Sequence, residues 1–231
     1  MATAGQQIAE SWRSKKFVSE WTSTDSLESL LTLPRSIAAA VIGTESPQTR
    51  RILDIGSGPG AFLSAFLDAF PDAVGIWTDA SEAMLDTAHE NLDKFGDRVT
   101  YLIADMTDLH SSAIPERVDV VLTSRASHHL DSERLAQFYR DAIAYLAPGG
   151  WMVNLDHVGL GDPWQDRMRD ARKKIIGARP DGRLTHYHSG PTPAISDHLR
   201  CYANCGIDAE TPWRAFGTCL FMGQVSGGGA G

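Results

Sequence analysis

The sequence predicts an α/β fold, with a doubly wound and mostly parallel sheet that carries helices on both faces. From Arg51 onward, short apolar runs alternate with amphipathic stretches, the pattern of strands that are each followed by a covering helix. The first apolar run ends in a glycine-rich turn at residues 56–60. The 231 residues, 42% of them hydrophobic, suffice for one large domain with its own core. We therefore expect an N-terminal helical cap over residues 1–50 and an α/β domain over residues 51–231.

The N-terminal segment, residues 8–42, places apolar side chains among polar ones and predicts two or three short helices. Pro34 is expected to begin the last of them, because proline fits the first turn of a helix. A polar linker over residues 43–50 then leads to the first strand.

The alternating part contains five predicted strands, each a short run rich in apolar residues. They lie at residues 51–55, 73–78, 99–104, 118–123 and 151–155. Apolar residues that recur every three or four positions predict the helices between them, and Pro148 with two glycines ends the last helix. Residues 158–200 are interpreted as an insertion. Residues 207–223 predict an antiparallel C-terminal hairpin that turns at Arg214 and Ala215.

The composition limits the classes of partner. The formal net charge of -8 argues against a nucleic-acid binder, which normally carries a basic face. The N-terminal residues do not form a secretory signal, and no apolar run approaches the roughly 20 residues that span a bilayer. Three cysteines are few and odd in number, as expected in a reducing compartment. These features favour a cytoplasmic protein with a small-molecule substrate and no nucleic-acid or membrane partner.

The turn after the first strand is typical of a nucleotide-binding site. Gly56, Gly58 and Gly60 let the backbone approach a ligand, while the following helix offers unpaired N–H groups. The same run fits the dinucleotide pattern G-x-G-x-x-A through Ala61. Asp54 favours a different ligand, because its carboxylate would repel a pyrophosphate and hold a cationic amine.

Two more acids follow successive strands. Asp79 closes the second strand and is placed to accept hydrogen bonds from two ribose hydroxyls. Asp105 follows the third strand, where a carboxylate can accept from an exocyclic adenine amine while Met106 covers the ring. Each acid alone is more often a helix cap or a turn residue. Three acids at successive strand ends, next to a glycine turn, indicate one shared site.

The ordered motifs resemble a known family. LDIGSGPG, GIWTDASEAML, ADMTDL, DVVLTSRASHHL and LAPGGWMVNLD, all within residues 51–157, are similar to the motifs of Rossmann-like (class I) S-adenosylmethionine-dependent methyltransferases. The resemblance implies that S-adenosylmethionine is the cofactor and S-adenosylhomocysteine the product. It implies a set of cofactor-binding residues: Asp54, Gly56, Ser57, Gly58, Gly60, Asp79, Ala80, Met84, Asp105, Met106 and Ser124.

The resemblance implies that different residues bind different parts of the cofactor. Asp54 and the glycines would hold the methionine end, and Asp79 the ribose. Asp105 and Met106 would bind the adenine, and Ser124 would line the sulfonium side.

Two residues depart from the family pattern. Trp77 is bulky for the second strand, and Arg125 follows the fourth strand, where small or apolar residues are common.

Two other functions stay open at this point. A nicotinamide-dependent oxidoreductase would use Asp79 but would leave Asp54 and Asp105 unexplained. A protein that binds S-adenosylmethionine without catalysis would have the same pocket.

The fourth strand is followed by two histidines, His128 and His129, which are the candidate catalytic residues. An imidazole at this place can take a proton from an acceptor oxygen or nitrogen. His128 is favoured because it comes four residues after Ser124. The alternative is that the pair opens the next helix, with one ring buried and the other exposed.

The acceptor site is expected above the strand ends, under the N-terminal helices and the insertion. Trp21, His157 and Tyr187 are the candidate substrate-binding residues. The nearby histidines are not accompanied by a metal-binding motif, so no metal is expected. Residues 161–183 hold seven bases and four acids, a balance of +3, which is usually a solvated face and less often attracts an acidic substrate. A small anionic or aromatic metabolite, methylated by in-line transfer, is the expected acceptor.

Overall fold

A computed structural model describes residues 12–23, 28–111, 113–115, 117–177 and 190–227. The strands are β1 Arg51–Ile55, β2 Val74–Asp79, β3 Val99–Ile103, β4 Val118–Ser124, β5 Leu146–His157, β6 Ala209–Ala215 and β7 Thr218–Gln224. The helices are α1 Lys15–Ser23, α2 Glu28–Glu45, α3 Ala61–Ala69, α4 Glu82–Leu92, α5 Ser132–Ala144, α6 Trp164–Ile176 and α7 Ile195–Asn204. Short 3₁₀ segments lie at Asp93–Arg98, Leu109–Ser111 and Ser127–His129.

The seven strands form one sheet in the order β3-β2-β1-β4-β5-β7-β6. β1 to β5 are parallel, whereas β7 runs antiparallel to both of its neighbours. The predicted fold class is confirmed. An antiparallel strand between the fifth and sixth strands separates this sheet from the dinucleotide-binding order 3-2-1-4-5-6. The carboxyl ends of β1 to β5 share one edge, where a doubly wound sheet binds its ligands.

Both faces of the sheet are buried. On β1, Ile52 contributes to one hydrophobic cluster and Leu53 to the other, because successive side chains point to opposite faces. The first cluster contains Phe66 of α3, and the second contains Phe138 of α5 and Tyr202 of α7. This arrangement explains why the parallel strands are continuous apolar runs in the sequence.

The N-terminal helices differ from the prediction at Pro34, which lies inside α2 instead of beginning a helix. Proline in a helix interior removes one backbone hydrogen bond. Leu31, Ala38 and Ile42 lie on one face of α2 and are buried in the core, at 0% exposure. Their burial on both sides of Pro34 explains why the helix continues through it.

The start of β5 also differs from the prediction. β5 begins at Leu146 and not at Trp151. Its pairing with β4 shifts from Val118–Leu146 to Val120–Trp151, so residues 147–150 form an irregularity in the strand. Pro148, which has no N–H, lies within these residues. The other four predicted parallel strands agree with the structure to within one residue.

The hairpin exists as predicted, but its turn is at Phe216 and Gly217 and not at Arg214 and Ala215. The φ angles of Phe216 and Gly217 are 48° and 78°. A two-residue hairpin turn with positive φ at both positions favours Asn-Gly or Asp-Gly. Phenylalanine does not signal such a turn, which explains the misplaced boundary.

Candidate active site

The glycine turn, residues 56–60, joins β1 to α3 at the carboxyl edge of the sheet. Gly56, Gly58 and Gly60 have φ angles of 63°, 54° and 82°, a region that side chains disfavour. A Cβ atom at Gly56 would lie 2.8 Å from the Cβ of Ala126. Only glycine therefore lets this turn pack against the segment that follows β4.

Residues of β2 hold the glycine turn through the two peptide groups that flank Gly58. The N–H of Gly58 donates to Oδ2 of Asp79 at 2.9 Å. The indole N–H of Trp77 donates to the Gly58 carbonyl, also at 2.9 Å. Met84 of α4 lies against the same glycine, since a Cβ at Gly58 would be 4.0 Å from its sulfur. Trp77, which departs from the family pattern, thus positions the turn.

Asp54 lies in β1 and is fully buried beneath the turn. Its Oδ2 accepts hydrogen bonds from Ser57 Oγ at 2.6 Å and from the Leu63 N–H at 3.2 Å. Its Oδ1 has no hydrogen-bond partner among the described residues. Burial raises the pKa of Asp54 to about 7, although both hydrogen bonds and the charge of Arg35 oppose this rise. A buried oxygen without a partner is suited to accept a hydrogen bond from a ligand.

Asp79 is half-buried at the end of β2. Its Oδ1 accepts from the Ser81 N–H at 2.9 Å, and its Oδ2 accepts from Gly58. Burial raises the pKa of Asp79 to about 6, and the negative charge of Asp105 adds to the rise. A carboxylate offers about four lone-pair sites, so both oxygens can still accept from ligand hydroxyls. Ala80, the next residue, is exposed.

Asp105 and Met106 follow β3, the strand that pairs with β2 through Asp79 and Ile103. Asp105 is exposed, and its Oδ1 accepts from the N–H and the hydroxyl of Thr107 at 2.8 and 2.7 Å. Met106 is half-buried. The acids that follow β2 and β3 are therefore neighbours at one edge of the sheet.

Ser124 ends β4, and its hydroxyl donates to the carbonyl of Leu155 on β5 at 3.2 Å. The chain then turns through Arg125, at a φ of 52°, into the 3₁₀ segment Ser127–His129. This segment carries both candidate catalytic histidines. His128 is 3% exposed and His129 is half-buried.

His128 forms a buried pair with Asp156 of β5. Nδ1 of His128 is 2.6 Å from Oδ1 of Asp156, and the His128 N–H donates to Oδ2 at 3.0 Å. Ser127 Oγ and the His157 N–H also donate to this carboxylate, at 2.6 and 2.7 Å. Burial disfavours ionisation of Asp156, but the charge of His128 and these hydrogen bonds outweigh it and hold the pKa below its usual range.

The pairing selects one tautomer of His128. Because the carboxylate of Asp156 accepts at Nδ1, the proton of a neutral imidazole resides there, and Nε2 is the atom that can take a proton. The same relation between an aspartate and a histidine orients the general base of a hydrolytic triad. The buried pair can therefore serve as a general base.

A buried hydrogen-bond network supports the pair from the side of α5 and α7. Asn154 Nδ2 donates to Ser127 Oγ at 2.9 Å and to the Tyr139 hydroxyl at 2.8 Å. The Tyr139 hydroxyl lies 2.9 Å from Nδ1 of His198. Since it accepts from Asn154, it donates to His198. Burial lowers the pKa of His198 to about 4, so its ring is neutral and can accept.

The other candidate residues are only partly described. The ring of His157 lies edge-on to His128 with 4.9 Å between centroids, and the His128 and His129 rings are 4.1 Å apart. Trp12, from the N-terminal segment, reaches the same place, 6.4 Å from the His129 ring. The side chain of Trp21 and the whole of Tyr187 lie outside the described residues.

Comparisons with known proteins agree with this geometry. Residues 52–150 match the family described as "Methyltransferase domain". A trans-aconitate 2-methyltransferase from Yersinia pseudotuberculosis is 29% identical over 199 residues, 73% of this chain and 73% of that protein. The family match, this relative and the fold together support a Rossmann-like (class I) S-adenosylmethionine-dependent methyltransferase.

Two solved structures share the fold of this methyltransferase. An O-methyltransferase family protein from Burkholderia thailandensis has a TM-score of 0.72 and 16% identity, and covers 98% of this chain and 64% of that one. The structure entitled "PigF with SAH" has a TM-score of 0.58 and 17% identity, and covers 77% and 51%. The chain spans less than two thirds of the length of several of the relatives and solved structures that it matches.

The residues at the carboxyl edge of this methyltransferase fit the cofactor of the family. The amino-acid end of S-adenosylmethionine carries an ammonium group, and the unpartnered Oδ1 of Asp54 is a complementary acceptor. The glycine turn leaves open space at Gly58, where the nearest atom to a Cβ would be the Met84 sulfur at 4.0 Å. Asp79 and Asp105 follow the next two strands in order.

The described part of the chain contains neither a membrane-spanning helix nor a cluster of metal ligands. No helix in it is both long and apolar enough to cross a membrane. Within the same ranges, no three histidine, cysteine or acidic side chains come together as a set of metal ligands. His186 and His188 lie outside those ranges.

Sequence reasoning missed the partners of the functional residues. Asp156 is 28 positions from His128, and its place at the end of β5 was the only signal available. Ser127 in the 3₁₀ segment and Asn154 within β5 gave no signal, because single polar residues are common in such places. Trp77 was noticed as an exception to the family pattern, but its hydrogen bond to Gly58 joins residues 19 positions apart.

Proposed function

We propose that this methyltransferase moves the methyl group of S-adenosylmethionine to a small anionic or aromatic metabolite. The observation that carries the proposal is Asp54, whose buried Oδ1 is without a partner among the described residues and lies beneath a glycine turn. Such an oxygen complements the ammonium of an amino acid and not the phosphates of a dinucleotide.

The remaining cofactor contacts follow the sheet edge. Asp79 would accept from the ribose hydroxyls, with Ala80 and Met84 beside it, and Asp105 with Met106 would bind the adenine. Gly56, Ser57, Gly58 and Gly60 would surround the methionine end together with Asp54, and Ser124 would line the sulfonium side. In this arrangement the methyl group points toward the segment after β4.

The cofactor supplies a methyl group on a positively charged sulfur. When bound, it would give this methyl group to the acceptor atom, and the electron pair of the carbon–sulfur bond would stay on sulfur. His128 Nε2 takes the proton that an acceptor hydroxyl or amine loses, and Asp156 stabilises the resulting imidazolium. Positioning of the two reactants along one line supplies a large part of the rate.

The acceptor would lie between His157, the N-terminal cap (residues 1–50) and the insertion (residues 158–200). Trp21 and Tyr187 stay candidates for its lining. The Yersinia relative is named for trans-aconitate, an acid, which supports an anionic acceptor.

We expect replacement of residues 161–183 to abolish turnover and to leave S-adenosylhomocysteine binding unchanged. Loss of that binding in a folded variant would contradict the placement.

Calorimetry with S-adenosylhomocysteine and, separately, NAD tests the cofactor. The wild-type protein should bind the first, and Asp79→Ala should weaken binding at least about tenfold, because a charge-assisted hydrogen bond is worth roughly 1.5–3 kcal/mol. Asp68→Ala is the control, since it removes an exposed acid that pairs with Lys94. Binding of NAD and not of S-adenosylhomocysteine would refute the proposal.

A further inference from the structure

Asn154 of β5 is a fully buried polar side chain close to the His128–Asp156 pair. It lies on the same face of the sheet as Asp156, which is two residues further along the strand. Its Nδ2 donates two hydrogen bonds, to Ser127 Oγ at 2.9 Å and to the Tyr139 hydroxyl at 2.8 Å. An amide nitrogen has only two protons, so this group uses both of them.

The contact between Ser127 and Asp156 decides which atom of the amide faces Ser127. Ser127 Oγ lies 2.6 Å from Oδ2 of Asp156. Burial opposes ionisation of Asp156, but the charge of His128 and the hydrogen bonds hold its pKa below its usual range, so it is a carboxylate. A carboxylate only accepts, and the single hydroxyl proton must therefore lie between these two oxygens. Ser127 has no proton left for Asn154, so only the NH₂ side of the amide can face it.

The same count of protons continues to α7. The Tyr139 hydroxyl accepts from Asn154, so its own proton goes to Nδ1 of His198, 2.9 Å away. Burial lowers the pKa of His198 to about 4, so this ring is neutral and can accept. From Asn154, hydrogen bonds thus run through Ser127 to Asp156. They run in the other direction through Tyr139 to His198, so one amide group sets the direction of the whole chain.

The carboxylate of Asp156 is surrounded by donors. Nδ1 of His128 and the N–H of His157 lie 2.6 and 2.7 Å from its Oδ1. Its Oδ2 accepts from the His128 N–H at 3.0 Å and from the Ser127 hydroxyl. A carboxylate has about four lone-pair sites, so these donors fill them and fix its plane. The bond from Asn154 occupies a lone pair of Ser127 and keeps the hydroxyl proton aimed at this carboxylate.

We infer that Asn154 is a positioning residue for the methyl transfer, because it fixes the Asp156 carboxylate that keeps the His128 proton at Nδ1. The inference rests on the proposed function, in which Nε2 of His128 takes the proton of the acceptor. Asn154 is fully buried and donates to Ser127 and Tyr139, so its effect on the reaction passes through the pair.

Proton NMR of the ligand-free protein, with isotope-labelled histidine, tests the inference without an acceptor. A histidine N–H in a short hydrogen bond to a buried carboxylate gives a resonance far downfield, and its loss in His128→Gln assigns it. We expect the wild type to show this resonance and Asn154→Leu to lose or shift it. Tyr145→Phe is the control, because it removes a buried hydroxyl that donates to the Leu109 carbonyl and not to the pair.

Turnover separates positioning from packing. With a panel of small acids and phenols as acceptors, Asn154→Leu should lower kcat about tenfold and leave the acceptor KM and the S-adenosylhomocysteine affinity within about twofold. In the His128→Ala background the same substitution should cause no further loss, because the pair through which it acts is already gone.

The other outcomes distinguish this inference from the proposed function. An unchanged resonance in Asn154→Leu would overturn the inference, and so would a further tenfold loss of turnover in the double variant. If Asn154→Leu loses the resonance while His128→Ala keeps near-native turnover, the positioning holds and the general base of the proposed function is wrong. If Asn154→Leu does not fold, Ser127→Ala removes the same donor to Asp156 and should lose the same resonance; its retention would count against the inference.

Discussion

The indole nitrogen of Trp77 lies 2.9 Å from the carbonyl oxygen of Gly58 and donates a hydrogen bond to it. Asp79, two residues along the same strand, accepts from the N–H of Gly58. β2 therefore holds the peptide groups on both sides of Gly58, at a φ of 54°. The orientation of the glycine turn, and of the groups that it presents to a ligand, depends on this strand.

Trp77→Phe should weaken S-adenosylhomocysteine binding about three- to tenfold, because the Gly58 carbonyl loses its donor and the turn can reorient. Trp151→Phe is a matched control: its indole also donates a hydrogen bond, to Ser46 Oγ at 3.1 Å, but this bond joins residues far from the turn. Calorimetry measures both. Equal affinities of the two folded variants would show that Trp77 only fills space.

Asp54 should release a proton when the cofactor product binds. Its pKa of about 7 in the ligand-free protein means that a large fraction is protonated near pH 6, whereas an ammonium ligand favours the ionised form. We expect release of up to about one proton per ligand near pH 6 and little near pH 8. Calorimetry in buffers of different ionisation enthalpy measures the release. Asp54→Asn should abolish it, and an unchanged release in this variant would assign the proton elsewhere.

The free energy of unfolding of the ligand-free protein should also depend on the ionisation of Asp54. The folded pKa of Asp54 lies above its ordinary value of 3.8, so the protonated form stabilises the native state, and this contribution is lost as the pH rises through 7. The free energy of unfolding of the wild type, relative to Asp54→Asn, should therefore be greater at pH 6 than at pH 8. Comparison with the variant cancels the pH-dependent contributions of other groups, such as His198, to the free energy of unfolding. A constant difference would mean that Asp54 is ionised throughout.

His128→Ala should lower turnover by roughly 10²–10⁴, the usual contribution of a general base, and should leave S-adenosylhomocysteine affinity within about twofold. Asp156→Asn should also lower turnover, since it no longer fixes the Nδ1–H tautomer. His110→Ala is the control, because His110 is an exposed histidine that pairs with a different carboxylate, Asp141. Formation of S-adenosylhomocysteine with a panel of small acids and phenols is the assay. Near-native turnover of His128→Ala from about pH 6 to 9 would make His128 structural and His129 the next candidate.

Tyr139→Phe should lower the free energy of unfolding by about 1–3 kcal/mol, because Asn154 Nδ2 loses one of its two hydrogen bonds and Nδ1 of His198 loses its partner, the Tyr139 hydroxyl. Tyr145→Phe, whose hydroxyl donates to the Leu109 carbonyl, is a comparison in the same region. Denaturant unfolding measures both. No loss in Tyr139→Phe would mean that the network adds nothing to stability.

The sequence by itself determined the features that depend on neighbouring residues. Apolar runs and helical spacing predicted β1 to β5, and the glycines after β1 predicted a tight turn, because strand, helix and turn preferences act over a few positions. The order of acids after β1, β2 and β3 followed as well, since parallel strands bring their carboxyl ends to one edge.

Only the tertiary structure decided which distant residues meet. Asp156 pairs with His128, and Trp77 holds Gly58. No local pattern specifies such contacts, because they depend on strand register and on how helices pack on the sheet. The same reason applies to Pro34 and Phe216, where local preference was overruled by burial of α2 and by the geometry of the hairpin.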